Sequence, residues 1–155
     1  FGEGTSRMQL WLADANVSLP VTLGEQNWTY TGSWRAQFNR TPLTPQDRMA
    51  IAGRYTVRGF DGLNILSAER GWVLRNEMVT PIQTNTQFYA GIDHGQVNGP
   101  SAASLVGNRL TGGVLGVRGQ AQKFQYDVFI GAPIQKPDNF KTARVTGGFS
   151  VSLSF

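Results

Sequence analysis

Apolar and polar residues alternate along stretches of roughly ten, and only an extended strand turns that period of two into two distinct faces. In 28–38, Trp28, Tyr30, Gly32, Trp34, Ala36 and Phe38 fall on one face, while Thr29, Thr31, Ser33, Arg35 and Gln37 fall on the other. The C-terminal stretch sets Phe149, Val151, Leu153 and Phe155 against Ser150, Ser152 and Ser154. Stretch 124–130 sets Phe124, Tyr126, Val128 and Ile130 against Gln125 and Asp127. In 86–95, Phe88, Ala90 and Ile92 oppose Tyr89, Gly91 and Asp93. Weaker alternation over 6–16, 68–79 and 108–119 brings the expected strands to seven, with almost no helix. The fold class is all-β.

The connections, near 39–66, 81–85, 96–107, 119–123 and 133–144, run long, short, long, short, long. Outer-membrane barrels have long external loops, short periplasmic turns and tilted strands of about 9–11 residues. Aromatic residues near strand ends, such as Trp28 and Phe155, suit the interfacial girdles of that architecture. A soluble β-sandwich also alternates, but its strands average about five to six residues and its apolar face is a core. Longer strands with small polar residues on the second face favour an antiparallel transmembrane barrel. Backbone groups in lipid must all be paired, so such a sheet closes, and bacterial barrels have even strand numbers. Seven strands are therefore expected to be the C-terminal portion of one barrel domain, 1–155, with earlier strands upstream. The start at Phe1 rather than Met and the lack of a signal peptide fit that expectation.

Composition narrows the chemistry. Seventeen aromatics and only 15% charged residues exclude a disordered chain. The absence of Cys excludes a disulfide scaffold and thiolate metal sites, and no apolar run is long enough for a transmembrane helix. A net charge of +4 comes with 11 Arg against 3 Lys, which suggests fixed ion pairs rather than a diffuse nucleic-acid patch. Aromatics and Arg also fall on opposite strand faces, the wrong arrangement for a nucleic-acid module. No phosphate loop, nucleophile elbow or EF-hand spacing occurs, so no enzyme, cofactor or metal is expected. Glu69 and Glu77 lie on one strand face too far apart for a glycosidase pair; with Arg75 they read as charges that meet the Arg residues of the long loop. His94 lies on the Ile92 face and reads as non-catalytic.

The long loop carries the segment Ile51-Ala52-Gly53-Arg54-Tyr55-Thr56-Val57-Arg58-Gly59-Phe60-Asp61-Gly62. It reads as a compact hairpin whose glycines permit tight turns, with Arg58 as its cation and Phe60 as its apolar anchor. An exposed loop with an ordinary surface Arg is the other reading of the same residues.

Val57-Arg58-Gly59-Phe60 resembles the VRGF signature of the outer-membrane superfamily of barrel-assembly factors and two-partner secretion transporters. The run 53–62, followed by Glu69-Arg70-Gly71-Trp72 and Leu74-Arg75-Asn76-Glu77, is most similar to the transporter (TpsB) branch, of the filamentous-haemagglutinin FhaC type. The resemblance covers about 6–155 and implies the last seven strands of a sixteen-stranded barrel. It implies that loop 39–66 folds back into the lumen and that POTRA domains precede the barrel. A second motif, Gly91-Ile92-Asp93-His94-Gly95, resembles a family segment whose Asp faces the lumen and pairs with the loop Arg, which implies an Arg58–Asp93 salt bridge. Ala52-Gly53 departs from the Gly-Gly pair of many relatives, and Ala restricts positive φ there.

The implied function is secretion of a partner exoprotein of the adhesin or haemolysin type, in extended form and without nucleotide, across the outer membrane of a Gram-negative bacterium. A barrel-insertion factor of the same superfamily, or a passive porin, is the alternative. The C-terminal strand ending at Phe155 resembles the signal read by the barrel assembly machinery; it is equally the last lipid-facing strand.

Overall fold

The computed structural model describes residues 7–153. Seven long strands form one antiparallel sheet: β1 (Leu10–Leu23), β2 (Gln26–Asn39), β5 (Arg70–Gln83), β6 (Thr86–Asn98), β7 (Arg109–Ala121), β8 (Phe124–Gln135) and β9 (Thr146–Leu153). They pair in the order β1-β2-β5-β6-β7-β8-β9, so every strand neighbours its sequence predecessor in the sheet. A short hairpin, β3 (Met49–Ile51) with β4 (Leu66–Ala68), stands apart within the long β2–β5 connection. Two 3-10 turns, Pro45–Asp47 and Pro100–Ser104, are the helical pieces among the described residues.

Most strands run longer than the alternation suggested. The first was expected over 6–16 but runs to Leu23, because Val17, Leu19, Val21 and Leu23 keep the alternation beyond that limit. Pro20, opposite Thr29, disguises the continuation, because proline ordinarily argues against a strand. The turn at Gly24–Glu25 was not anticipated, and it tightens through Gly24 at φ +63°. The other short connections shrink to two residues, closed by the pairs Gln83–Thr86 and Ala121–Phe124.

The two faces of the sheet are buried in the opposite sense to a sandwich. On the apolar face Trp11, Leu19, Phe38, Ile92, Leu115, Val128, Ile130 and Val151 are all exposed. Burial lies on the other face, where Met49, Ile51, Val57, Phe60, Leu66 and Ala68 pack on Val73, Val97 and Leu110 with Phe140. The hydrophobic cluster of this chain is thus a loop pressed onto a sheet wall. An apolar surface of that extent, left bare along strands of 12 to 14 residues, is built for lipid rather than for a second sheet.

Candidate functional site: a loop bound to the sheet wall

Residues 40–69 leave β2 and return to β5 across the loop-bearing face. Three paired residues, Met49–Ala68, Ala50–Ser67 and Ile51–Leu66, close the stem. Above it the backbone turns through Ala52 (φ +132°), Gly53 (+95°), Gly59 (+99°) and Gly62 (+77°). Ala52 thus holds a positive φ that its side chain disfavours, secured by a bond from its amide to Thr56 Oγ1 at 3.1 Å.

Arg58 is the centre of the contact. Its Nε donates to Asp93 Oδ2 at 2.6 Å, its Nη2 to Oδ1 at 2.8 Å, and its backbone amide to Oδ2 at 3.0 Å. The third guanidinium nitrogen, Nη1, meets Glu77 Oε2 at 2.5 Å. Asp93 is fully buried and Arg58 is 6% exposed. Burial alone would lower the Arg58 pKa, but hydrogen bonds and charge attraction from Asp93 and Glu77 outweigh it and hold the guanidinium above its ordinary range. A planar fork against two carboxylates is what arginine does and lysine cannot.

The contact continues across β5 to β9. Glu77 Oε1 accepts from Arg118 Nη2 at 2.7 Å, and Arg118 stacks over the Tyr89 ring at 4.8 Å. Tyr89 donates to Asp127 Oδ1 at 2.7 Å, and Asp127 Oδ2 meets Arg54 Nη2 at 3.3 Å. Arg54 also reaches Ser150 and lies over Phe129. The network therefore leaves the loop at Arg58 and re-enters it at Arg54. Arg75 stands 3.7 Å from Asp93 and adds a second cation beside that carboxylate.

Two outer ties hold the loop to its neighbours. Asp61 accepts from the Leu63 amide at 3.0 Å and the Ala143 amide at 2.8 Å, while Asn64 donates to the Lys141 carbonyl. The backbone bond from Ala143, then that from Leu63, keeps the Asp61 carboxyl below its usual range. Phe60 meets Phe140 edge-on, with centroids 5.8 Å apart. At the stem Glu69 accepts from the Ser101 amide at 3.1 Å and from its hydroxyl, and faces Arg48 at 3.5 Å. Burial would raise the Glu69 carboxyl, but the Ser101 bonds and Arg48 pull it lower.

Val57, Arg58, Gly59, Phe60, Asp93, Gly91 and Gly95 thus lie in one place. Gly95 leaves room for the Val57 side chain, and Gly91 for the Arg58 guanidinium. Glu69 and Glu77 each face a loop Arg, Arg48 and Arg58. His94 lies on the opposite face, stacked near Trp72 and bonded to Thr111. Phe155 lies outside the described residues. Sequence reasoning passed over Arg54–Asp127, Tyr89, Arg118 and the Asp61 tie. Period-two alternation did place Tyr89, Asp93 and Asp127 on the polar faces of their strands, and that was the available signal.

A family model described as haemolysin secretion/activation protein ShlB/FhaC/HecB matches residues 2–119. "Outer membrane transporter CdiB-2" of Burkholderia pseudomallei is 41% identical over 99% of this chain and 27% of its own length. "Outer membrane transporter CdiB" of Dickeya dadantii is 28% identical over 99% of this chain and 28% of its own. The solved structure of CdiB from Acinetobacter baumannii superposes with a TM-score of 0.89 at 40% identity, over 97% of this chain and 28% of that one. CdiB from Escherichia coli shares the fold, with a TM-score of 0.88 at 22% identity over 98% of this chain and 28% of that one. The chain spans little more than a quarter of the length of these relatives, and its sheet is the C-terminal part of a β-barrel. It belongs to the ShlB/FhaC/HecB family of haemolysin secretion/activation proteins.

Proposed function

We propose that this chain is the C-terminal wall, and the loop-bearing part, of a transporter that secretes a partner exoprotein across the outer membrane by two-partner secretion. The family resides in the outer membrane of Gram-negative bacteria, so the bare apolar face meets lipid. The loop-bearing face is then the lumen, and loop 39–66 lies inside it. The partner is an exoprotein of the adhesin or haemolysin type, passed in extended form without nucleotide or enzymatic chemistry. The observation that carries this reading is the bidentate Arg58–Asp93 contact, which fixes a long loop across the wall along which a chain would pass.

The loop acts as an organiser of the conduit, and Arg58–Asp93 is its lock. Removing one partner leaves the other charge buried and unpaired, at a cost on the order of 3–5 kcal/mol. The test is secretion of a co-expressed exoprotein by full-length protein carrying Arg58→Ala or Asp93→Ala. Barrel insertion is followed in parallel by heat-modifiable electrophoretic mobility. Secretion falls in both variants while insertion persists; normal secretion in both overturns the reading. The C-terminal strand is also the segment read by the barrel assembly machinery; deleting Phe155 lowers outer-membrane insertion, and unchanged insertion overturns that role.

A further inference from the structure

The wall under the loop carries glycines that its strands do not need. β7 alone contains Gly112, Gly113, Gly116 and Gly119, although interior glycine weakens a strand and marks a close approach of something else. Gly116 accommodates the Tyr89 ring, an ordinary packing reason. Gly112 and Gly131 are different, because what approaches them is the backbone of the loop.

A Cβ on Gly112 would coincide with the Arg58 carbonyl oxygen and would stand 3.2 Å from the Phe60 ring. A Cβ on Gly131 would stand 2.9 Å from the Gly59 Cα and 2.8 Å from the Gly113 carbonyl oxygen. The fit is reciprocal: a Cβ on Gly59 would stand 2.5 Å from the Ala132 carbonyl oxygen and 2.9 Å from that of Gly113. Backbone therefore lies on backbone across β7 and β8, with no room for a methyl group on either side. Flexible side-chain ends can swing away from such a clash; backbone atoms paired in a ladder cannot.

The position of this contact gives it a consequence. Gly112 is the ladder partner of Asp93, and Gly131 pairs with Val114 two residues along β7. The depth at which the loop backbone rests therefore sets the height from which Arg58 reaches its carboxylates. We infer that Gly112 and Gly131 form a seat for the Arg58–Gly59 backbone and act as positioning residues for the loop. A methyl group there lifts the loop and breaks the ion pair even with Arg58, Asp93 and Glu77 all present. This rests on the proposed role of the loop only for its effect on secretion, not for the docking itself.

The test uses full-length protein bearing Val57→Cys as its sole cysteine, since Val57 is a loop residue fully buried against the wall. Labelling by a bulky polar maleimide is timed in that background and after adding Gly112→Ala, Gly131→Ala or Gly147→Ala. An added Cβ at Gly147 meets only the Phe129 carbonyl at 3.3 Å, away from the loop, so it is the control. Heat-modifiable mobility verifies that each barrel is assembled; Gly131→Ala carries the test if Gly112→Ala does not assemble. Labelling accelerates about tenfold or more in the seat variants, because it tracks the fraction of undocked loop, and stays unchanged in the control. Protection equal to the reference in the assembled seat variants overturns the inference, as does equal acceleration by Gly147→Ala. Accelerated labelling with undiminished secretion upholds the seat and overturns the role proposed for the loop.

Discussion

At the scale of single residues, the guanidinium geometry makes the strongest demand. Arg58 spends three nitrogens on two carboxylates, so Arg58→Lys keeps the charge but loses the fork. Its expected phenotype is close to that of Arg58→Ala, read as increased protease cleavage within 52–65 in assembled protein. Glu77→Gln is milder, because Asp93 still holds Arg58, while Arg118 loses its carboxylate. A Glu77→Gln phenotype as severe as Asp93→Ala would contradict this ranking. Ala52 presents the opposite case, a residue that resists its own backbone. A non-glycine side chain at φ +132° stores on the order of 1–3 kcal/mol, so Ala52→Gly steadies the loop. Slower hydrogen exchange at the Val57 amide is the check. Arg58 and Asp93 were legible as letters of two motifs. Gly112 and Gly131 were not, because a close approach of backbone leaves no period in the sequence.

At the scale of elements, alternation located the seven long strands, since side-chain direction in a strand is set by covalent geometry and needs no tertiary partner. It lost its grip at Pro20 and at both ends of β5, where register depends on the neighbouring strand. The β3–β4 stem was anticipated only as a compact hairpin. Three-residue strands have too few positions to show a period, and these two exist because Ile51 and Leu66 pack on the wall. The outer ties of the loop depend on acid groups and so respond to pH. The carboxyls of Asp61 and Glu69 are both lower in the folded chain than when free. Each tie is fully present above the ordinary carboxylate range and is lost as pH falls through the lowered folded value. Acidification is expected to lower the hydrogen-exchange protection of the Ala143 and Ser101 amides, once rates are corrected for the intrinsic slowing of exchange in acid. Asp61→Asn removes the pH dependence at Ala143 alone; an unchanged acid response there would show that another group controls that tie.

At the scale of the whole molecule, the decisive property is which face is covered. Two-faced strands alone cannot say whether the apolar side is a core or a skin; strand length was the sequence clue, and the bare face with a loop packed on the other is the structural answer. Ile92 sits near the middle of β6 on the bare face, between Asn76 and Gly113 in the ladder, and is 55% exposed. Asp93, the next residue, is fully buried on the opposite side. Ile92→Arg therefore places a charge near the bilayer midplane, where it costs about 2–4 kcal/mol in an outer-membrane barrel. Ser33→Glu, on the loop-bearing face of β2 opposite Arg75 and beside Arg35, meets water and two cations instead and should cost little. Equilibrium unfolding of full-length protein in phospholipid vesicles measures both substitutions in one background. In detergent micelles, which adapt around a charge, the penalty at Ile92 shrinks while that at Ser33 does not change. Equal penalties at the two positions in vesicles would mean that the bare face is covered by protein, and the assignment of lipid and lumen sides would have to be reversed or abandoned.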